Sequence, residues 1–179
     1  AFDYGSNRES IFWINGAGVQ LHLANNPIGF QQKVSLVLKD PKPKDIIIQI
    51  NDTYQDGEDI SWLWDVDFQY LADSNARSII TAGTRRHDMG LRLKYEDIPC
   101  GSTTDLRASV LDCVENGTKN LYVIVNYSGL YRTNHMLTEL EKTCGKTGEG
   151  KAGQEKSAAG KPEPGAQGQN REQKGGDRA

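Results

Sequence analysis

Two short runs, Ile46-Ile-Ile-Gln-Ile50 and Leu121-Tyr-Val-Ile-Val125, are apolar almost throughout instead of alternating with polar residues. A strand reads this way when both of its faces are covered, the condition of a parallel sheet held between helices. The rest of residues 1–142 alternates in kind. Val19 to Leu23 and Ser78 to Ala82 read as further strands. Between the strands lie stretches with helical spacing: Phe30 to Leu38 behind a Pro27 suited to a first helical turn, Ser61 to Leu71, a segment opened by Gly83-Thr84 and carrying Met89, Leu91 and Leu93, Asp105 to Val114, and Tyr131 to Leu140. Strands and helices taking turns imply an α/β fold in three layers, a mostly parallel, Rossmann-like sheet with helices on both faces.

In such a sheet the carboxyl ends of the strands share one edge, and ligands and partners bind along it. Four turns are expected there: Asn25-Asn26-Pro27-Ile28-Gly29, the acidic run Asn51 to Phe68, Gly83-Thr84-Arg85, and Asn126-Tyr127-Ser128. The acidic run carries the most chemistry. Asp52, Asp56, Glu58, Asp59, Asp65 and Asp67 crowd around Gly57 and beside Trp62 and Trp64. Charges so close disfavour local order unless something offsets them. A calcium loop starting at Asp52 would need oxygen ligands at its third and twelfth positions, which here are Tyr54 and Leu63. The three histidines, His22, His87 and His135, have no companion ligands at metal spacing, so no metal site is expected.

Composition narrows the partners. The net charge is −3, and residues 143–179 contribute +2, which leaves −5 on the body. An acidic body argues against nucleic acid as a partner. No apolar run is long enough to span a bilayer and no signal peptide is evident. Three cysteines without metal-like spacing fit unpaired thiols in a reducing cytoplasm. Residues 143–179 contain no Leu, Ile, Val, Phe, Tyr or Trp and are expected to be a disordered tail. The expected division is a lead-in over 1–14, one folded domain over 15–142, and the tail. The chain opens on Ala1, as an excised piece of a longer protein would. Gly145-Lys146-Thr147 is not a P-loop, because position 140 is Leu and no strand leads into it; Asn15-Gly-Ala-Gly18 lacks the third glycine of a dinucleotide-binding turn.

Several motifs occur together and in order: Asn26-Pro27-Ile28-Gly29-Phe30, Asp56-Gly57-Glu58-Asp59-Ile60-Ser61-Trp62-Leu63-Trp64-Asp65, Gly83-Thr84-Arg85, Leu91-Arg92-Leu93-Lys94 and Asn126-Tyr127. Over residues 15 to 142 the chain resembles the carboxy-terminal domain of the MurT family, the Mur-ligase-like subunit of lipid II isoglutaminyl synthase. The Asp-Gly-x-Asp-x-Ser-Trp segment is the most specific part of the match. The resemblance implies a cytoplasmic ligase subunit of peptidoglycan synthesis. It implies a GatD-like glutamine amidotransferase partner with a Cys-His pair, and lipid II as substrate, whose D-glutamate becomes D-isoglutamine. It also implies ATP and magnesium in the full-length ligase and no cofactor on this domain alone. By the same resemblance, Asp59 is the catalytic residue that crosses the interface to complete the partner's triad. Glu58 stands where the family usually has Arg, and the family's ATP-binding central domain and cysteine-ligated zinc insertion are absent from this chain.

The residue chemistry is consistent with that role. A Cys nucleophile needs a His base, and the His needs an acceptor that fixes its tautomer and stabilises its charged form. Other positions leave two readings open. Gly57 either shapes the turn that presents Asp59 or is an ordinary turn glycine. Trp62 and Trp64, with Asp56 and Gly57, either meet a partner or, for the tryptophans, pack on the core. Asn26 and Gly29 either face substrate or nucleotide or simply begin a helix. Thr84 and Arg85 either hold an anion or pair with the acidic run. At the level of the whole chain, the alternative to a catalytic contribution is a noncatalytic module that docks the amidotransferase.

Overall fold

The computed structural model describes residues 9–145. Its elements are β1 (Glu9–Ile14), β2 (Ala17–Leu23), α1 (Pro27–Lys39), β3 (Lys44–Gln49), β4 (Ala76–Ala82), α2 (Arg86–Lys94), β5 (Gly101–Ser102), α3 (Leu106–Glu115), β6 (Asn120–Val125) and α4 (Tyr127–Cys144). The strands form one sheet in the order β1-β2-β6-β3-β4-β5. All neighbours are parallel except β1, which runs antiparallel to β2. The expected α/β sheet is therefore present.

The aliphatic strands work as their composition requires. Ile46, Ile48, Tyr122 and Ile124 face one way, into a core with Phe30, Val34 and Val37 of α1 and Met89 and Leu93 of α2. Ile47, Leu121, Val123 and Val125 face the other way, against Val110 and Val114 of α3 and Leu137 and Leu140 of α4. Burying an aliphatic side chain of this size contributes roughly 1.5–3 kcal/mol. Both faces thus carry a core, and the central strands cannot slip register without losing both.

Polar side chains fasten the helix ends. Asn26 Oδ1 accepts the Gly29 N–H at 2.7 Å and starts α1, with Pro27 in the first turn. At the other end of α1 the buried Lys44 ammonium donates to the carbonyls of Val37 (3.1 Å), Asp40 and Ser74 (2.6 Å). Burial depresses the Lys44 pKa, against the pull of Asp40, which raises it. Asp40 in turn accepts from the Tyr122 hydroxyl at 2.9 Å, the Asn120 amide and the Lys42 N–H at 3.0 Å.

Three features depart from the sequence reading. Residues 9–14 of the expected lead-in are an edge strand, joined to β2 by an Asn15-Gly16 turn with φ of 48° and 79°. The helix expected over Ser61 to Leu71 is two 3₁₀ turns, Ser61–Asp65 and Phe68–Asp73, separated by an extended Val66. Leu63, Val66, Phe68 and Leu71 are all buried, and a continuous helix would set Val66 and Phe68 on nearly opposite faces. Of the three apolar residues read on the helix after Gly83-Thr84, Met89 and Leu93 are buried and Leu91 is half exposed. α4 continues to Cys144, past the expected domain end at 142; the remainder of the expected disordered tail lies outside the described residues. On the outer side of the sheet, the Trp13 N–H of β1 donates to Glu141 Oε1 of α4 at 2.7 Å, and the Asn15 N–H donates to the Cys144 carbonyl at 3.2 Å.

Candidate functional site

Parallel pairing brings four turns to one edge, and backbone hydrogen bonds carry the ladder just past the strand ends. Ala24 N–H reaches the Val125 carbonyl at 3.0 Å, Ile50 N–H that of Ala82 at 3.0 Å, and Asn126 N–H that of Gln49 at 3.3 Å. Asn51 then ties three of the turns together. Its N–H donates to Asn126 Oδ1 at 3.2 Å and its carbonyl accepts from Asn126 Nδ2 at 2.7 Å. Its side chain donates to Ser128 Oγ at 3.0 Å and accepts the Thr84 N–H at 3.1 Å. Gly83 permits this closeness. Its φ is +89°, and a Cβ there would stand 2.3 Å from the Ile50 carbonyl oxygen.

The acids of the run separate by task. Asp52 turns toward the neighbouring turn: its carboxylate accepts from Thr84 Oγ1 at 2.7 Å and pairs with Arg85 Nε at 2.8 Å. The Thr84 hydroxyl and then, against some burial, Arg85 hold the Asp52 carboxyl below its ordinary pKa. Asp56 is half-buried. It accepts the Ser128 N–H in the first turn of α4 at 2.9 Å and the Thr53 hydroxyl at 2.6 Å. The helix-start residue Asn126 makes no side-chain cap of its own, so Asp56 supplies that acceptor from another loop.

Asp59 is different. It is exposed, at the tip of the run, and its Oδ1 accepts the Ser61 N–H at 2.8 Å, just ahead of the first 3₁₀ turn. That N–H, and then the Ser61 hydroxyl, hold the Asp59 carboxyl below its ordinary pKa. A carboxylate offers several acceptor sites, so the Ser61 contact leaves capacity for a donor arriving from solvent. Gly57, two residues earlier, has φ of +83°, and a Cβ added there would meet nothing within 4 Å. Its demand is conformational rather than steric. Glu58 is exposed beside it.

The tryptophans part company. Trp62 is half-buried against Phe30, ring centroids 5.1 Å apart, and packs on the core. Trp64 is 52% exposed and meets Tyr95 edge-on at 5.2 Å. Asn26 and Gly29 form the helix start described above. Thr84 and Arg85 are engaged with Asp52, and Arg85 also lies 3.7 Å from Asp88. His22 is buried in β2 and stacks on Tyr122 at 5.5 Å. Among the described residues no three His, Cys, Asp or Glu gather into a metal site, no helix is long and apolar enough to cross a membrane, and Cys100, Cys113 and Cys144 are free thiols. Burial pushes the Cys113 thiol up to about 11, so it is not a reactive thiolate.

Sequence reasoning misses Asn51 and Asp52 as site residues. The signal available is their place directly after β3, where a short polar side chain can reach both flanking turns.

A family model described as MurT ligase C-terminal matches residues 23–130. The chain belongs to this family. A curated relative, lipid II isoglutaminyl synthase (glutamine-hydrolyzing) subunit MurT of Streptococcus pneumoniae, is 29% identical over 73% of this chain and 30% of its own length. The protein of the same name from Staphylococcus aureus is 36% identical over 44% of this chain and 18% of its own length. The chain thus spans under a third of the MurT relatives it matches. A solved domain assigned to a UDP-N-acetylmuramate:L-alanyl-gamma-D-glutamyl-medo-diaminopimelate ligase of Haemophilus ducreyi is 16% identical, with a TM-score of 0.38 over 72% of this chain and 94% of that one. Within the MurT family frame, the acidic run and the turns around Asn51 all fall inside the matched residues.

Proposed function

We propose that this domain completes the glutaminase site of a partner amidotransferase by presenting Asp59, as part of a ligase that converts the D-glutamate of lipid II to D-isoglutamine at the cytoplasmic face of the membrane. The observation that carries the reading is that Asp59, the second aspartate of the Asp56-Gly57-Glu58-Asp59 segment, is exposed and oriented by the Ser61 N–H, while Asp52 and Asp56 are engaged with other turns of the domain. An ionised carboxylate that accepts an imidazole N–H fixes the tautomer and stabilises the imidazolium formed when the Cys thiol gives up its proton. The partner supplies Cys and His; ammonia released from glutamine passes to the ligase, which replaces a carboxylate oxygen of D-glutamate with nitrogen.

ATP and magnesium, which activate that carboxylate, belong in this reading to the remainder of a longer ligase. The turn best suited to a phosphate here, Thr84-Arg85, is already taken by Asp52 and Asp88. The test uses the complete two-subunit complex. Asp59→Asn should lower glutamine-dependent amidation by on the order of 10⁴, the scale for losing the acid of a comparable triad, while amidation from added ammonium chloride persists. Near-normal glutamine turnover in that variant would remove Asp59 from the mechanism.

A second reading, a docking module without catalytic part, draws on the exposed Trp64 and its neighbour Tyr95. Under it, Asp59→Ala should weaken subunit association itself. Under the catalytic reading, association survives and hydrolysis stops.

A further inference from the structure

Arg92 of the Leu91-Arg92-Leu93-Lys94 motif lies on α2, far along the chain from the acidic run, yet its side chain is spent on that run. It is only 5% exposed. Nε donates to the Leu63 carbonyl at 3.1 Å and one terminal nitrogen to the Val66 carbonyl at 2.8 Å. The other terminal nitrogen pairs with Glu96, one helical turn on. The guanidinium also lies over the rings of Trp64 at 5.3 Å and Phe68 at 5.6 Å.

These contacts have a direction. The 3₁₀ turn Ser61–Asp65 is held at its start by Asp59, which accepts the Ser61 N–H, and within and beyond its end by Arg92, which takes the carbonyls of Leu63 and Val66. A five-residue 3₁₀ turn has few internal hydrogen bonds and does not hold its own geometry. We infer that Arg92 is a positioning residue: it anchors the turn on which the Asp59 carboxylate is aimed, without touching Asp59 or any reacting group. The planar fork of arginine is what the site uses, since two carbonyls, a carboxylate and two ring faces are met at once. A lysine would present a single point of charge. The functional weight of this anchor rests on the triad reading for Asp59; the anchoring does not.

The experiment keeps the two apart. In this chain, Arg92→Met and Arg92→Lys are compared by NMR for exchange of the Ser61 amide and for titration of the Asp59 carboxyl. The same variants are assayed for glutamine turnover in the complete complex. Arg92→Met should speed Ser61 exchange at least about tenfold, while the Ile124 amide in the central strand β6 keeps its protection. The Asp59 carboxyl should titrate nearer to an ordinary aspartate. Glutamine turnover should fall by on the order of 10²-fold, the scale of a misplacement near 1 Å, with KM for glutamine little changed. Arg92→Lys, the milder change, should fall between and serves if the methionine variant does not fold. Unchanged Ser61 exchange and Asp59 titration in the folded variant would overturn the assignment. If both signals move while Asp59→Asn keeps full glutaminase activity, the anchor stands and the triad role falls.

Discussion

Asp52, Asp56 and Asp59 lie within eight positions of one another and do three different things, because each is set by what it can reach. Asp52 sits beside β4's turn and takes Thr84 and Arg85. Asp56 reaches α4, and Asp59, at the tip, reaches the nearby Ser61. The types and spacing of these acids were legible in the sequence; their division of labour was not, since it depends on which turns a parallel sheet brings side by side. Asn51 is the same lesson, a single amide whose partners lie 33 to 77 positions away. Gly83 makes the sharpest prediction at this scale. Alanine there must accept φ of +89° and a Cβ 2.3 Å from a backbone oxygen. Gly83→Ala should destabilise the domain by more than about 2 kcal/mol, read as a lowered urea midpoint at unchanged slope. Stability within a few tenths of the parent would show that the Ile50–Gly83 approach is not tight in solution.

Among the elements, those with a single strong period were readable. α1 has Pro27 at its start and buried residues at helical spacing, and the central strands are apolar on both faces. Elements whose shape depends on distant partners were not. β1 is paired on one side only, β5 is two residues long, and the 3₁₀ pair breaks at Val66 so that Phe68 can reach Phe30. The Asn15-Gly16 turn did carry a hairpin signal, since both residues tolerate positive φ. α4 shows how one element borrows from another: its first turn is capped by Asp56 rather than by its own Asn126. Asp56→Ala should therefore cost about 1 kcal/mol in urea unfolding, with faster amide exchange in the first turn of α4. If exchange rises only in the acidic run and α4 is unaffected, the cap is not acting on the helix.

For the molecule as a whole, acid response follows from where the carboxylates find donors. Burial works against the charge of Asp40, but the Lys42 N–H, the Tyr122 hydroxyl, the Asn120 amide and the nearby Lys44 outweigh it and hold its pKa below the ordinary value. Asp52 and Asp59 are shifted the same way. Between the folded and unfolded values the unfolded chain binds more protons, so stability rises with pH in that window. The contribution is complete above the ordinary carboxylate range and is lost as pH falls through the depressed folded values. Urea midpoints should therefore drop steadily below about pH 4, and Asp40→Asn should flatten that slope. An unchanged slope in the variant would place the acid sensitivity elsewhere.

The contact between Glu141 and the Trp13 amide has a bearing on solubility. β1 is the outermost strand on its side, and an outermost strand with bare amides recruits strands from other molecules. Here a carboxylate from the last helix occupies one of those amides and sets a negative charge where an intruding backbone would have to dock. Light scattering on Glu141→Ala should therefore report self-association that grows with concentration. Unchanged scattering would show that this one residue is not what guards the first described strand.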